Sequence, residues 1–432
     1  MYLSFVVIII ALLAYYSIGR NLILEKKIFT IQFSYIFFYF AIAPLLHFYT
    51  EYYAADLFFR NFELALFNLN LINIFGIIFL ILGFCFANGL KLKNNSKASI
   101  RINWKILCNL SFTYFMFSLC YFIYLSMTTT LFYVEAKNEL EGSNLFQYMI
   151  LESTPIIFTW GILGYLKLKN KTNFLFYFIL FLIVTILFAG LRGSRVTIIF
   201  NVVNFLLLYS FLIKPLNWKK FIPLLIIGFV FNTVYSNYKY SGIEGLKNYL
   251  STGEKASYIA TKENSTLLFL LGDLARSDVQ SKIIENIEYG QYKPSYMPET
   301  YTKAITLILP DKLDIENFES KRILGTEALY GFKGDNYYSS SRIYGLLGEG
   351  LINFSFYSIP FIFFLYGVIH LLCLNVISVI RTNQYILFLP LVFFMPIYLI
   401  FYDLDNIIFQ ILKNWTAPFL VFIIYSVKKN EN

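Results

Sequence analysis

The sequence predicts an all-helical (all-α) integral membrane protein with eleven candidate spanning helices and one long, partly helical outer loop. Three observations carry this expectation. Of the 432 residues, 58% are apolar and only 14% are charged, whereas a soluble domain is about half apolar and about a quarter charged. Apolar runs recur at the length of a bilayer crossing, about 20 residues. Lys and Arg are concentrated in alternate short connections, as they are where one set of loops faces the cytoplasm. The composition excludes a disordered chain, a coiled coil and an ordinary cytosolic enzyme.

The first five runs are Tyr2 to Ile18, Phe29 to Tyr49, Ala65 to Leu90, Ile106 to Thr128 and Tyr148 to Tyr165. Phe174 to Leu191, Val196 to Ile213 and Phe221 to Tyr238 come next. The sixth and seventh are separated only by Arg192 to Arg195, but together they are about twice the length of one crossing. The last three runs are Ser355 to Ile377, Tyr385 to Tyr402 and Ile407 to Val427. The chain is thus expected to hold eight spans in residues 1–238, a large outer loop in 239–342, and a re-entrant segment with three spans in 343–432.

One set of alternate short connections carries 17 Lys and Arg and the other carries 4. The first set is therefore expected in the cytoplasm, with the N-terminus outside and the C-terminus inside. The first run has no basic residue before it, and Arg20, Lys26 and Lys27 lie just after it, which fits a retained helix. On this reading the net charge of +9 reflects membrane topology, so a nucleic-acid partner is not expected. The four cysteines lie inside apolar runs and form neither a disulfide framework nor a zinc spacing.

The long outer connection carries 13 basic and 14 acidic residues. Leu267, Leu270, Leu271 and Leu274 recur at helical spacing within Ser265 to Tyr289, and Gly290 is a stop signal. Pro294, Pro298 and Pro310 punctuate the remainder of the loop. A structureless loop of this length would be unusual, and such loops are usually functional.

The segment Arg192-Gly193-Ser194-Arg195 opens the seventh span from the outer face, where charge bias disfavours Arg. Guanidiniums beside the unpaired N–H groups of a helix start match phosphate geometry. The same pair also reads as interfacial Arg reaching the headgroups. A second cluster, Ser339-Ser340-Ser341-Arg342, is followed by Gly345, Gly348, Glu349 and Gly350. Three glycines in six residues are costly in a helix and imply close backbone approach. Glu349 is an ionisable group at a membrane boundary, which makes it a functional candidate as proton acceptor or donor; a structurally paired Glu in a packing run is the plainer reading. Arg276, Lys312, Lys321 and Arg322 are further basic residues of the loop, and each alone reads as a solvated or paired surface charge. Arg276 is the best candidate among them, since the apolar stretch before it can hold it against the membrane body.

Asp403-Leu404-Asp405 has the spacing of a metal-holding acidic pair, but a match this short proves little and it reads first as a short acidic outer turn. Glu152 and Lys413 lie inside spans, where charges pair or line cavities. His47 and His370, the two histidines, read as packing residues. The chain has no Gly-Lys-Ser/Thr phosphate loop, no Gly-x-Gly-x-x-Gly and no His-Glu-x-x-His. No metal and no cofactor is expected.

With its eleven runs, the outer Arg192-Gly193-Ser194-Arg195, one long late outer loop and the segment SSSRIYGLLGEGLINF, the chain resembles the bacterial O-antigen polymerases, the Wzy-type oligosaccharide repeat-unit polymerases. The resemblance implies a fold like the lipid-linked C-type glycosyltransferases, placed in the bacterial inner membrane. It implies a polymerase of lipopolysaccharide or similar surface polysaccharide biosynthesis, joining repeat units carried on undecaprenyl diphosphate at the periplasmic face. By position, Arg192 and Arg195 match the family's outer-loop arginines, Arg276 an arginine early in the long loop, and Arg342 and Glu349 the re-entrant segment. A chain-length regulator and a flippase are the implied protein partners. The related O-antigen ligases use a histidine in the long loop, and none lies between Lys239 and Arg342 here.

The implied chemistry is metal-independent. Catalysis falls to Glu349, Arg195 and Arg342, with Arg192, Arg276, Arg322, Asp335 and Tyr301 binding substrate. Guanidiniums neutralise the diphosphate leaving group, and Glu349 takes the proton of the acceptor hydroxyl, with Asp335 and Asp278 behind it. Tyr296, Tyr301, Tyr337 and Tyr338 offer flat faces for sugar rings, although interfacial anchoring also accounts for such residues. The competing readings are an O-antigen ligase, a flippase or other transporter of lipid-linked oligosaccharide, and a membrane scaffold.

Overall fold

The computed structural model describes residues 1–53, 57–89, 102–128, 145–170, 174–190, 195–215, 235, 238, 242, 244–253, 268–306, 318–333 and 342–431. Among these the secondary structure is helical, and no strand is present. In chain order the helices are α1 (Tyr2–Leu22), α2 (Lys26–Thr50), α3 (Phe62–Asn88), α4 (Trp104–Thr128) and α5 (Leu145–Lys169). Next come α6 (Phe174–Gly190), α7 (Arg195–Leu212), α8 (Ser277–Glu288), α9 (Glu299–Thr306) and α10 (Lys321–Tyr330). The last four are α11 (Gly345–Phe354), α12 (Ser358–Ile380), α13 (Gln384–Phe401, opening with a 3-10 stretch) and α14 (Leu404–Glu431).

Among the described residues, eight helical stretches are long and apolar enough to cross a bilayer, and α6 and α7 are shorter apolar helices. This is the architecture of a multi-pass membrane-embedded protein. The ten stretches coincide with ten of the expected runs; the eighth, Phe221 to Tyr238, lies almost wholly outside the described residues. Backbone polar groups must be satisfied internally in hydrocarbon, which is why runs of Phe, Leu and Ile fold as helices there.

The chain divides into two units, each made of separate stretches of sequence. The first comprises Met1–Lys97, Leu267–Ile380 and Leu391–Phe409. Its closest packing joins α3 and α12. A Cβ on Gly83 would lie 2.0 Å from the Phe364 carbonyl oxygen, and one on Gly367 would lie 2.2 Å from that of Leu80. Association inside a bilayer depends on such small residues, because lipid is as apolar as leucine. A polar line crosses the same unit. The Tyr15 hydroxyl lies 2.5 Å from His370 Nδ1, His370 Nε2 lies 3.0 Å from Gln32 Oε1, and Gln32 Nε2 donates to the Phe393 carbonyl at 2.8 Å. Phe29, Phe84 and Tyr366 surround the imidazole. Both histidines are buried, and His47 Nδ1 contacts the Tyr52 carbonyl.

The helical reading of Ser265 to Tyr289 meets a break. A π-helical turn, Leu268–Asp273, gives way at Leu274 to Arg276, and α8 starts afresh at Ser277. The chain leaves α8 through Gly290 at φ +68°, a left-handed conformation that suits glycine. α8 ties the connection to the membrane helices. Glu285 Oε1 accepts the N–H groups of Arg60 and Asn61 just before α3, and Asn286 Nδ2 donates to the carbonyls of Ala328 and Leu329 in α10.

The second unit comprises Ala98–Thr266, Arg381–Pro390 and Gln410–Asn432. Here α4 packs along α5, where Gly161 and Gly164 admit Ser111 and Cys108. Phe388 anchors a ring cluster with Trp160, Trp415, Phe419 and Phe422. Within it, Lys413 Nζ lies 2.8 Å from Glu152 Oε2, so these two intramembrane charges pair with each other.

Candidate functional site

The first unit holds a buried polar cluster where α8, α9 and α10 meet α11 and the start of α14. It begins with the glycines. Gly345 opens α11 at φ +68°, and a Cβ there would lie 2.7 Å from the Ile400 carbonyl oxygen and 2.8 Å from the Tyr39 hydroxyl. A Cβ on Gly348 would lie 2.9 Å from that of Tyr344, and one on Gly350 would lie 2.0 Å from Ile362 Cδ1. The glycine run therefore seats α11 against its neighbours, and Glu349 is carried inward.

Glu349 is buried, and both of its carboxylate oxygens are engaged. Oε1 accepts the Thr300 hydroxyl at 2.8 Å, and Oε2 accepts the Leu404 N–H at 2.8 Å. Asn353, one turn on, donates to the Thr300 hydroxyl oxygen at 2.7 Å and to the Glu349 carbonyl at 2.8 Å. Its Oδ1 accepts the Thr300 N–H at 3.1 Å. This fixes α9 on α11.

Asp403 is the deepest acid of the cluster, with no exposed surface. Its Oδ1 accepts the N–H groups of Tyr344 and Gly345 at 2.7 and 2.9 Å. Its Oδ2 receives Lys321 Nζ at 2.7 Å and Asn406 Nδ2 at 3.1 Å. Lys321 also lies 2.8 Å from Asp405. Burial disfavours the Lys321 ammonium, yet the two carboxylates more than offset it and hold its pKa above the usual lysine value. Next to this triad, Gln280 Nε2 donates to the Tyr39 hydroxyl at 3.0 Å and to the Tyr344 carbonyl at 3.1 Å.

Arg276 sits at the break before α8. Its Nη1 donates to the carbonyls of Gly272 and Ala275 at 2.8 and 2.6 Å, and its guanidinium lies 4.3 Å from the centroid of the Phe401 ring. The helix break thus supplies the free carbonyls that hold the guanidinium inside. Tyr301, half-buried on α9, stacks on Phe354 with centroids 6.4 Å apart. Burial first, then the nearby carboxylates of Glu349 and Asp403, push its phenol well above its ordinary value.

Of the residues singled out from sequence, the fold brings Glu349, Arg276 and Tyr301 into or beside this cluster. Arg342 is half-buried two residues before Tyr344, and Arg322 is exposed beside Lys321. Arg195 opens α7, but its side chain lies outside the described residues, as do Arg192 and Asp335 entirely. Asp278 is buried at the start of α8 and accepts the Val279 N–H.

Sequence reading missed Asp403 and Lys321 as partners. Asp403 is no solvated turn, and Lys321 is no surface charge. Lys321 Nζ lies between the carboxylates of Asp403 and Asp405, where a divalent ion held by that pair would sit. Among the described residues, no group of His, Cys, Asp and Glu is arranged to hold a metal. The available signal was an acid placed directly before a span with no basic neighbour in sequence, which demands a cation from elsewhere in the chain. Thr300 and Asn353 carried no comparable signal.

Compared with protein-family models, with curated proteins and with solved structures, the chain matches none.

Proposed function

We propose that this chain is a glycosyltransferase that joins undecaprenyl-diphosphate-linked oligosaccharide repeat units into O-antigen or a similar surface polysaccharide, at the outer face of the bacterial inner membrane. The supporting observation is the acid–base cluster of Glu349, Asp403, Lys321 and Arg276, built where the long connection packs on the glycine-rich helix α11. An ionisable group buried in a membrane protein is a functional-site hypothesis by default, and Glu349 and Arg276 of this cluster are among the residues that carry the family resemblance.

In this reading the acceptor is a sugar hydroxyl on the newest lipid-linked unit. It takes the place of the Thr300 hydroxyl at Glu349 Oε1. Its oxygen bonds the anomeric carbon of the growing chain while the bond from that carbon to the diphosphate breaks. Glu349 receives the hydroxyl proton. The lipid diphosphate leaves with its charge offset by Arg276 and by Arg342 and Arg322 beside the cluster. Such electrostatic stabilisation is usually the largest contribution to this kind of transfer. The growing chain's lipid carrier is the partner that this role requires; a chain-length regulator and a flippase are the protein partners that the family resemblance implies.

A second reading, a transporter of lipid-linked oligosaccharide, has one observation in its favour: the Glu152–Lys413 pair inside the spans of the second unit. Purified full-length protein in liposomes, supplied with purified lipid-linked repeat units, separates the two. The polymerase yields a ladder of longer saccharides without other proteins. Units that remain single, with a protein that still melts cooperatively, overturn the polymerase reading.

A further inference from the structure

The second unit contains polar groups that the proposed glycosyl transfer does not use. Thr197, Asn201 and Asn204 stand at i, i+4 and i+7 on α7, so they share one face. All three are buried. At the upper end the Thr197 hydroxyl donates to Glu152 Oε2 at 3.4 Å, and that oxygen also receives Lys413. The row therefore begins where α7 meets the pair that joins α5 to α14, and it extends about 10 Å along the helix at about 1.5 Å per residue.

The three helices that meet at this pair carry buried atoms that ask for partners of both kinds. Among the described residues, Asn201 Nδ2, Asn204 Nδ2 and Trp160 Nε1 are buried donors with no hydrogen-bond partner. Asn204 Oδ1 and Asn414 Oδ1 are buried acceptors in the same condition. Trp160 has no exposed surface, and the three asparagines are at most 5% exposed. An unsatisfied polar group in this setting costs about 1–3 kcal/mol, so five of them on the three helices that meet at one ion pair are not a neutral feature of packing. Mixed donors and acceptors select against a bare cation or anion. They match a small molecule that both gives and takes hydrogen bonds.

We propose that α5, α7 and α14 enclose an internal water site in the second unit, running from the Glu152–Lys413 pair along Asn201 and Asn204 toward Trp160. A buried water makes about three hydrogen bonds to otherwise unsatisfied groups, which is the supply these side chains offer. Water there gives each member of the ion pair a further partner and lowers the cost of separating them.

Radiolytic hydroxyl-radical labelling of the full-length protein in nanodiscs, read by mass spectrometry, tests the site. Radicals form from water, so a ring sealed from bulk solvent is oxidised only where water is held beside it. Trp160 should be oxidised about tenfold more than the buried, stacked rings of Phe181 and Phe205, after correction for intrinsic reactivity. Asn201→Leu with Asn204→Leu should bring Trp160 down to the level of those rings and leave exposed Tyr385 unchanged. Oxidation of wild-type Trp160 no greater than that of Phe181 and Phe205 overturns the proposal, whether or not the double variant folds. Undiminished Trp160 oxidation in a folded double variant overturns it equally.

Discussion

Asp403 and Glu349 each secure the helix start next to the other. Asp403 accepts the N–H groups of Tyr344 and Gly345, where the helix carrying Glu349 begins, and Glu349 accepts the N–H of Leu404, where the helix after Asp403 begins. The first N–H groups of any helix lack partners within it, and the helix dipole favours negative charge there. Two carboxylates thus satisfy two helix ends reciprocally, and Lys321 pairs with Asp403.

Asp403→Ala should therefore be severe. It removes two backbone acceptors and leaves Lys321 with Asp405 as its ionic partner. Breaking a buried pair costs about 3–5 kcal/mol. A thermal melt of purified protein should show a large fall, and Asp403→Ala with Lys321→Met should fall by less than the sum of the two single changes. Additive losses would show that the two residues are not coupled.

Glu349→Gln separates chemistry from architecture. The amide keeps the shape but offers one accepting oxygen where the carboxylate offers two, so stability should drop by about 1–3 kcal/mol. Polymerisation should fall by about 10²–10⁴-fold if Glu349 takes the acceptor's proton. A folded variant that makes polymer at the wild-type rate would assign Glu349 to architecture alone.

Lys321 sets an alkaline limit. Its pKa in the folded chain is held above the ordinary 10.5, so the folded form keeps the proton to higher pH than the unfolded form does. Its contribution is complete below pH 10.5 and is lost as pH rises through the folded value. Tyr301, also held above its ordinary value, acts in the same direction. Melting temperature should decline above about pH 10.5, and Lys321→Met should decline less steeply over that range. Identical slopes would remove Lys321 from the account.

Gly367→Ala tests the α3–α12 seam. The added methyl would stand 2.2 Å from the Leu80 carbonyl oxygen, which is backbone and cannot swing aside. Overpacking of this kind costs about 1–3 kcal/mol. Gly253→Ala is the informative comparison: its Cβ would meet nothing, so its penalty comes from φ +75° alone.

The spanning helices were legible because hydrocarbon admits few backbone solutions, and runs such as Phe62–Asn88 announce themselves by length and composition. The seat of Glu349 was half legible. Gly345, Gly348 and Gly350 signalled close approach, and the structure shows what approaches. The partners of Asp403 were not legible, because they lie 59 and 82 residues away in sequence and no local pattern encodes such a meeting. The break at Arg276 was hidden for a similar reason. The leucine spacing from Leu267 to Leu274 is helical, and only the carbonyls freed at the break explain how a guanidinium is kept inside.

The line from Tyr15 through His370 to Gln32 also bears on how the protein is made. Its members lie 355 and 338 residues apart, so the two N-terminal helices leave the ribosome long before their imidazole exists. Until then the hydroxyl of Tyr15 and the amide of Gln32 must find temporary company, from a neighbouring lipid headgroup, the insertion machinery or each other. A polypeptide interrupted before α12 would retain those unmet polar groups, which gives quality control a chemical mark by which to tell an unfinished chain from a complete one.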